Sequence, residues 1–299
     1  MRLMRIALVT TSYPADAGDP SGHFVEVEAR QLERQGHEVT VIAPPAGGAF
    51  GWPGVAARLR EDPRRAVGAT RWVMEARERV RRLDAHRVVA HWAVPCAWPI
   101  GLAARGELEV VSHGGDVRLL ARMPRPARER VVEAIASRAR SWRFVSAPLR
   151  DALLATLGGA VRSRVEGLAH VRPAAIEVLD VADAVARRRR ELGDARVAVS
   201  VGRLVPSKRV DRAIAYLGHT READRLVVVG DGPERGRLET LAREHALDTR
   251  FVGRVTREES LAWIGAASML VFASEAEGES TVLREAAALG TRVVIVPAA

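Results

Sequence analysis

The pattern that most constrains the fold is an alternation, along almost the whole chain, of short β-branched apolar runs with longer amphipathic stretches. Ten runs have the length and composition of buried strands: RIALVTTS, HEVTVIAP, RVVAHW, LEVVSHG, SWRFVSA, RVAVSVG, RLVVVGDG, TRFVGRV, SMLVFAS and TRVVIVP. The stretches between them, such as HFVEVEARQLERQG, have helical periodicity. Apolar strands separated by helices are typical of parallel sheets covered on both faces. We therefore expect a doubly wound α/β fold.

One segment interrupts this alternation. In HVRPAAIEVLDVADAVARRRRELGD a proline-containing stretch leads into an arginine-rich helix, near residues 172–190. A chain of 299 residues with 47% hydrophobic composition is long enough for two cores. We predict one Rossmann-like domain over residues 1–180 and a second over 187–299.

Composition excludes several classes of protein. The single cysteine, Cys96, rules out an internal disulfide framework and a cysteine-based zinc cluster, and it fits a reducing compartment. The N-terminal apolar run indicates a strand and not a secretion signal, and no span reaches the ~20 apolar residues of a transmembrane helix. The expected location is the cytoplasm, including its boundary with the inner face of the membrane.

The charge is strongly positive and unevenly placed. The net charge is +9, of which residues 1–186 carry +6 and residues 187–299 carry +3. This excess of positive charge favours acidic partners. Two interpretations are consistent with it: a solvated basic face, and a peripheral contact with an anionic membrane. With 4% aromatic residues and no interleaving of basic and aromatic side chains, nucleic acid is not an expected partner.

Lys208 is the only lysine in a chain with 46 lysine and arginine residues. In VSVGRLVPSKRVDRAI a strand ends at Gly202, and a helix is predicted to begin near Lys208. This spacing lets Arg203 and Lys208 converge above the sheet edge, where a planar fork of donors and a compact ammonium suit a diphosphate. Ordinary surface charge is the alternative, but the use of lysine at this one position favours a diphosphate site.

Two glutamates flank the start of a later helix, in SEAEGESTVLREAAALG. Glu277 lies in the loop after SMLVFAS, Ser280 is a good helix N-cap, and Glu285 lies about one and a half turns into the helix. Both carboxylates can face one site, and the amides of the first turn, near Thr281, form an anion site between them. The two glutamates would then hold a sugar and a ribose on either side of a phosphate.

A histidine ends the strand LEVVSHG. His113 is followed by Gly114, Gly115 and Asp116, so an imidazole donor stands beside backbone that can approach a ligand closely. A local structural role is the alternative, and for His91, at another strand end, that role is the preferred interpretation.

The first strand is followed by a loop, TTSYPADAGDPSG, whose Gly18 and Gly22 allow close backbone approach at the carboxyl edge of the sheet. It is not a G-x-G-x-x-G motif, and no acidic residue ends the second strand, which disfavours a nicotinamide-cofactor site. A substrate loop and a plain flexible loop both stay open.

Taken together, these stretches resemble the retaining GT-B glycosyltransferases of family 4. The resemblance runs from SGHFVEVEARQLERQGHEVTVIAP, VVAHWAVPCAWPIGLAAR and SHGGD in the first half to SVGRLVPSKRVDRAI, LVVVGDGPERGRLETLA and RFVGRVTREESLAWIGAASMLVFASEAEGESTVLREAAALGTRVV in the second. Glu277 and Glu285 match the family's E-x7-E signature. The implied fold is GT-B, with two Rossmann-like doubly wound domains facing a cleft.

The resemblance also implies a role for each candidate. His113 and Glu277 would contact the donor sugar at the catalytic centre, and Glu285 would hold the nucleotide ribose. The other donor-binding residues would be Gly22 over the phosphates, Arg203 and Lys208 on the diphosphate, Arg254 beside the base, and Ser280 and Thr281 at the helix start. The implied reaction transfers a sugar from a nucleotide sugar to a glycan or lipid-linked acceptor hydroxyl, with retention at the anomeric carbon.

No metal or other cofactor is expected. The sequence has no Asp-x-Asp, the usual metal clamp of the other major glycosyltransferase fold. The leaving diphosphate would instead be met by Arg203, Lys208 and helix amides that are in place before the reaction. In such enzymes the departing phosphate oxygen takes the acceptor proton, so Glu277 holds hydroxyls and is not a nucleophile as in glycosidases.

The chain departs from the family pattern in three places. Gly22 is followed by His23, and Glu279 and Ser280 follow the EG pair. The chain also stops at VVIVPAA, where the family continues with further strands and helices, so the second domain is expected to be incomplete, with an exposed sheet edge.

Other functions stay open at this point. They are a catalytically inactive nucleotide-sugar-binding protein, a sugar-nucleotide epimerase on the same fold, and an NAD-dependent enzyme whose motif is missing. The donor base and sugar, the acceptor and the oligomeric state do not follow from the sequence.

Overall fold

The computed structural model of the chain describes residues 3–16, 19, 21–51, 54–177, 179–274 and 280–297. The chain forms two compact units. The first unit comprises Met1–Tyr13 and Ser21–Ala175, and the second comprises Pro14–Pro20 and Ile176–Ala299.

The first unit is built on a parallel sheet of six strands. Its order is β2-β1-β3-β4-β5-β6. The strands are β1 Arg5–Val9, β2 Glu38–Ile42, β3 Arg87–His91, β4 Glu107–Ser112, β5 Ala139–Phe144 and β6 Ala169–Val171. The helices are α1 His23–Arg34, α2 Val55–Glu61, α3 Arg65–Arg82, α4 Gly115–Arg122, α5 Arg125–Ala136, α6 Ala147–Leu154 and α7 Gly159–Leu168. Irregular helical turns over Ala93–Ala103 follow β3.

The second unit is built on a parallel sheet of five strands. Its order is β11-β10-β7-β8-β9. The strands are β7 Val197–Val201, β8 Arg225–Val229, β9 Thr249–Gly253, β10 Met269–Phe272 and β11 Arg292–Ile295. The helices are α8 Ala182–Leu192, α9 Val210–Thr220, α10 Arg235–Glu244, α11 Arg257–Ala266 and α12 Thr281–Ala288. Separate apolar clusters cover the two faces, one around Leu226 and Val228, the other around Val227 and Trp263.

These topologies confirm the doubly wound class. In both sheets the chain adds strands on one side of its first strand and then crosses to the other side. The reversal lies between β1 and β3 in the first unit and between β7 and β10 in the second. In sheets of this kind, ligands bind outside the carboxyl ends of the strands at that reversal.

All ten predicted strands are present, but β6 was not predicted. It has three residues, two of them exposed, and it pairs with β5 from Trp142↔Ala169 to Phe144↔Val171. An exposed edge strand needs no apolar run, so periodicity does not reveal it. Within the described ranges, no helix combines the length and apolar character needed to cross a bilayer.

Candidate functional site

The loop after β7 places Lys208 against the carboxyl end of that strand. An added Cβ on Gly202 would stand 3.8 Å from Lys208 Cε, so the lysine stem lies close to the backbone where β7 ends. Pro206–Lys208 form one 3-10 turn, and Arg209 has a left-handed backbone (φ 47°). Because of this turn, α9 begins at Val210, two residues later than the sequence suggested.

A second loop, after β8, lies directly against this one. The Leu204 amide donates to the Asp231 carbonyl (2.8 Å), and the Glu234 amide donates to the Leu204 carbonyl (3.1 Å). Gly230 and Gly232 permit this approach, since Cβ atoms there would stand 1.9 Å from Gly202 O and 2.4 Å from Leu204 O. The connection that carries Arg203 and Lys208 is therefore held by backbone contacts from the neighbouring strand.

Gly230→Ala is expected to destabilise the protein by about 1–2 kcal/mol, because the new methyl group meets a backbone carbonyl and φ is +133°. Gly236→Ala, in α10, is the matched control. A Cβ there meets nothing within 4 Å, so this variant is expected to gain up to ~1 kcal/mol of stability. The urea concentration at the midpoint of unfolding should fall for Gly230→Ala and rise for Gly236→Ala relative to the wild type. Equal shifts for the two variants would contradict this account.

The loop after β10 starts beside Lys208. Ser274 Oγ donates to the Ser207 carbonyl oxygen at 3.2 Å. Strands β10 and β7 are neighbours, paired at Met269↔Ala198 and Leu270↔Val199, so both loops leave one edge of the sheet. Glu277, the predicted sugar-binding carboxylate of this loop, lies outside the described residues.

Helix α12 begins at the same edge. Ser280 occupies the predicted N-cap position with an extended backbone (φ −94°, ψ 109°), but its side chain makes no capping hydrogen bond. The expectation of a side-chain cap at Ser280 is therefore wrong in this structure. The first-turn amides, from Thr281 onward, are left uncapped by that side chain, and such amides attract anions.

Glu285 is buried and paired with an arginine that sequence reasoning missed. Arg257 Nη1 lies 2.9 Å from Glu285 Oε1, and Arg257 Nη2 donates to the Glu177 carbonyl at 2.9 Å. Glu285 has only 4% of its surface exposed. Arg257 is the first residue of α11, placed there by the Thr256 side chain, which caps the helix by accepting from the Glu259 amide.

Arg254, predicted to lie beside the base, follows β9. Its guanidinium Nη2 is 3.8 Å from Asp19 Oδ1, a residue of the Pro14–Pro20 segment that belongs to the second unit. The predicted contact between its backbone and a base stays a prediction. Gly18, from the same loop, lies outside the described residues.

In the first unit, two histidines meet at the ends of neighbouring strands. His91 ends β3, His113 follows β4, and His91 Nδ1 lies 3.0 Å from His113 Nε2. His91 is fully buried, and burial, assisted by the charge of Arg143, lowers its pKa to about 3. Burial also holds the pKa of His113 well below its usual range, with smaller contributions from His91 and Arg143. Both imidazoles are therefore neutral at pH 7.

Behind His91 lies a buried ion pair. Arg143 Nη2, on β5, is 2.5 Å from Glu28 Oε2, on α1, and the side chains keep only 6% and 13% of their surface exposed. The same Glu28 oxygen is 4.0 Å from His91 Nε2. The pairing joins residues 115 positions apart, so no local pattern could have revealed it.

Asp116 anchors the turn that carries His113. It is 2% exposed and accepts from the amides of Ala93 (2.8 Å), Gly114 (3.0 Å) and His113 (3.2 Å). A carboxylate with three amide donors is well compensated for its burial. The glycines of SHGGD thus belong to a rigid turn that fixes the histidine backbone.

Aromatic rings surround the exposed part of this turn. Phe24 and Trp92 have ring centroids 4.6 Å and 4.8 Å from that of His113. Gly22, which precedes α1, has φ 67°, and a Cβ there would stand 1.9 Å from Ser12 O, so the close loop requires glycine. The predicted phosphate role of Gly22 is not tested by this packing.

The described part of the chain shows no group of three or more His, Cys, Asp or Glu side chains arranged to hold a metal ion. Of the predicted residues of the second unit that the structure describes, Arg203 and Lys208 follow β7, Ser280 and Thr281 lie at the start of α12, Glu285 faces Arg257, and Arg254 follows β9. His113 lies in the first unit.

Comparison with known proteins identifies relatives. Residues 183–299 match the family described as Glycosyl transferases group 1. The chain is 26% identical over 332 aligned residues to a Bacillus subtilis (strain 168) protein named as the teichuronic acid biosynthesis glycosyltransferase TuaC, covering 97% of this chain and 80% of TuaC. It is 27% identical over 321 aligned residues to the GDP-mannose-dependent alpha-(1-6)-phosphatidylinositol monomannoside mannosyltransferase of Mycobacterium tuberculosis, with coverage of 98% and 80%.

A solved structure shares the fold. The crystal structure of Anabaena Alr3699/HepE in complex with UDP and glucose aligns with a TM-score of 0.66 at 18% identity, covering 98% of this chain and 80% of that one. This likeness and the two parallel sheets confirm the expected GT-B class.

Proposed function

Because residues 183–299 match the glycosyl transferases group 1 family, we propose that the protein is a retaining hexosyltransferase that transfers a sugar from a nucleotide-sugar donor to an acceptor hydroxyl. The acceptor belongs to a glycoconjugate or a cell-surface polysaccharide. The name of the relative TuaC, which refers to teichuronic acid biosynthesis, supports this choice of product.

The observation that carries the proposal is the arrangement at the β7–β10 edge. Lys208 lies close to the end of β7, Ser274 Oγ donates to the Ser207 carbonyl at 3.2 Å, and α12 follows β10 with no side-chain cap from Ser280. A lysine and the first-turn amides of a helix, carried by loops that leave neighbouring strands at the reversal of a doubly wound sheet, suit a diphosphate.

The same groups supply the chemistry that we propose. As the bond from the anomeric carbon to the diphosphate breaks, negative charge grows on the leaving oxygen. Arg203, Lys208 and the first-turn amides of α12 stabilise that charge without reorganising. The leaving phosphate oxygen takes the proton of the acceptor hydroxyl, which adds to the anomeric carbon on the same face, so no metal ion and no side-chain base is needed.

A binding and turnover panel tests the proposal. UDP, GDP and ADP are compared with the matching monophosphates by thermal shift, since a ligand of the native state stabilises it by about 2.7 kcal/mol at 100 times its Kd. At least one diphosphate is expected to raise Tm more than its monophosphate does. Its nucleotide sugar should then be hydrolysed or transferred, with EDTA present.

Other outcomes of this panel indicate other functions. Diphosphate binding with no turnover under any acceptor indicates an inactive binding protein. Conversion of the nucleotide sugar to an isomer without release of the diphosphate indicates an epimerase. A protein stabilised by none of the nucleotides contradicts the proposal.

We also propose that the first unit contacts an anionic membrane from the cytoplasmic side. Val67 (76% exposed) and Met74 (60% exposed) lie one heptad apart on α3, with Arg71 and Arg81 on the same face. Co-sedimentation with phosphatidylglycerol vesicles should exceed that with phosphatidylcholine, and a Val67→Gln, Met74→Gln variant should lose the difference. Equal binding to both lipids would contradict the membrane contact.

A further inference from the structure

The contact between His91 and His113 has the geometry of an in-plane hydrogen bond. The two nitrogens are 3.0 Å apart, the ring planes differ by 16°, and the ring centroids are 5.3 Å apart. The rings therefore meet edge to edge, with a nitrogen of each pointing at the other. Since both rings are neutral, one nitrogen carries the proton and the other accepts it.

The surroundings of His91 decide which nitrogen carries the proton. His91 Nε2 is buried, has no hydrogen-bond partner among the described residues, and lies 4.0 Å from Glu28 Oε2. A nitrogen lone pair facing a carboxylate oxygen is repelled, whereas an N–H there is attracted. Arg143 lies beyond Glu28 and donates to that carboxylate. The proton of His91 is therefore placed on Nε2, and its Nδ1 is an acceptor.

The tautomer of His113 follows from that of His91. His113 Nε2 must donate to His91 Nδ1, so His113 Nδ1 is left as a lone pair. Asp116 touches this turn through backbone amides only, so it does not compete for the imidazole. His113 is partly exposed, and its Nδ1 makes no hydrogen bond to the described part of the chain.

We infer that His91, oriented by Glu28, is a positioning residue that holds His113 in its Nε2–H form, so that His113 Nδ1 accepts a hydrogen bond from a hydroxyl of a sugar substrate. This inference rests on the proposed function for the identity of the ligand. It reverses the expectation from sequence that His113 donates, and it gives a working role to His91, which sequence reasoning treated as structural.

The tautomer is read directly, without ligand, from two-bond ¹H–¹⁵N correlations of histidine-labelled protein at pH 7, with His113→Gln used to assign the signal. Wild-type His113 is expected to show the Nε2–H pattern. In His91→Asn the amide oxygen stands near the position of the former Nδ1 and can still accept a hydrogen bond, so His113 should keep the Nε2–H pattern. His91→Leu removes the acceptor, and His113 should then show a mixture of tautomers.

Kinetics provide the second measurement. With the nucleotide sugar that turns over, kcat/KM should fall about tenfold in His91→Leu, the loss of one hydrogen bond, and by less than about threefold in His91→Asn. The Kd of the bare diphosphate should not change. A wild-type Nδ1–H pattern, or a tautomer and kcat/KM both unchanged in His91→Leu, would overturn the inference.

The two hypotheses fail separately. The wild-type tautomer is measured whether or not the His91 variants fold and whether or not any donor is used. The expected tautomer in a protein that turns over no nucleotide sugar supports the positioning role and contradicts the proposed function.

Discussion

Lys208→Ala is expected to weaken binding of the nucleoside diphosphate by roughly 10- to 100-fold, or about 1.5–3 kcal/mol, the range of a hydrogen bond to a charged group. Lysine binds phosphate as a compact point charge, and its stem lies close to Gly202 at the end of β7. Isothermal titration with the diphosphate found in the panel measures the change.

Arg225→Ala is the matched control for this substitution. Arg225 begins β8, at the amino end of the same sheet, and pairs with Asp248 at 2.7 Å. Removing a positive charge there should leave the diphosphate affinity within about twofold, because exposed charges distant from the ligand are screened by salt. Equal losses in both variants would show that Lys208 acts only through the net charge.

Glu277→Gln separates sugar binding from phosphate binding. The variant should reduce turnover more than diphosphate affinity, since it removes the contact with the sugar that the resemblance implies and leaves Lys208 in place. If Lys208→Ala and Glu277→Gln both behave like the wild type, the assignment of the donor site is wrong.

Arg257→Met is expected to destabilise the second unit by about 2–4 kcal/mol. The side chain of Glu285 keeps only 5% of its surface exposed, and removing Arg257 takes away the cation 2.9 Å from its Oε1. Breaking a buried pair costs about 3–5 kcal/mol because a buried charge loses its compensation. The expected loss of stability is smaller than that range because the Arg257 side chain keeps 23% of its surface exposed.

The measurement follows Trp263, the only tryptophan of residues 187–299, by ¹⁹F resonance of fluorotryptophan during urea unfolding. Arg225→Met is the control, since the Arg225–Asp248 pair lies in the same unit, is exposed on both sides (41% and 56%) and should contribute less than about 0.5 kcal/mol. Adding Glu285→Gln to Arg257→Met should recover part of the loss, because the buried side chain that lost its arginine no longer carries a charge. A double variant no more stable than Arg257→Met would contradict a charge-based mechanism.

Several parts of the candidate site could be predicted from the sequence because they depend on residues that are neighbours along the chain. The single lysine, the strand end at Gly202 and the start of α12 at Thr281 all follow from local composition and periodicity. The exact residue at which α9 begins could not be predicted in this way, because Arg209 takes a left-handed backbone that arginine rarely adopts.

The partners with which the predicted residues interact could not be predicted from the sequence. Arg257 and Glu285 are 28 positions apart, and His91 and His113 are 22 apart. Each pair forms only because neighbouring elements of the sheet bring two loops or two helices together. Many arginines in this sequence could have paired with Glu285, and nothing in their spacing distinguishes Arg257.

By itself, the sequence determined the class of fold, ten of the strands, and the position, just after β7, of the lysine that we propose binds phosphate. It could do so because strand and helix formation depend on the period of apolar residues, which is a local property. Only the tertiary structure decided which charge faces Glu285, which nitrogen of His113 faces His91, and where the backbone of Gly230 leaves no room for a methyl group. These are contacts through space, and their energies depend on distance and burial, which a linear pattern does not contain.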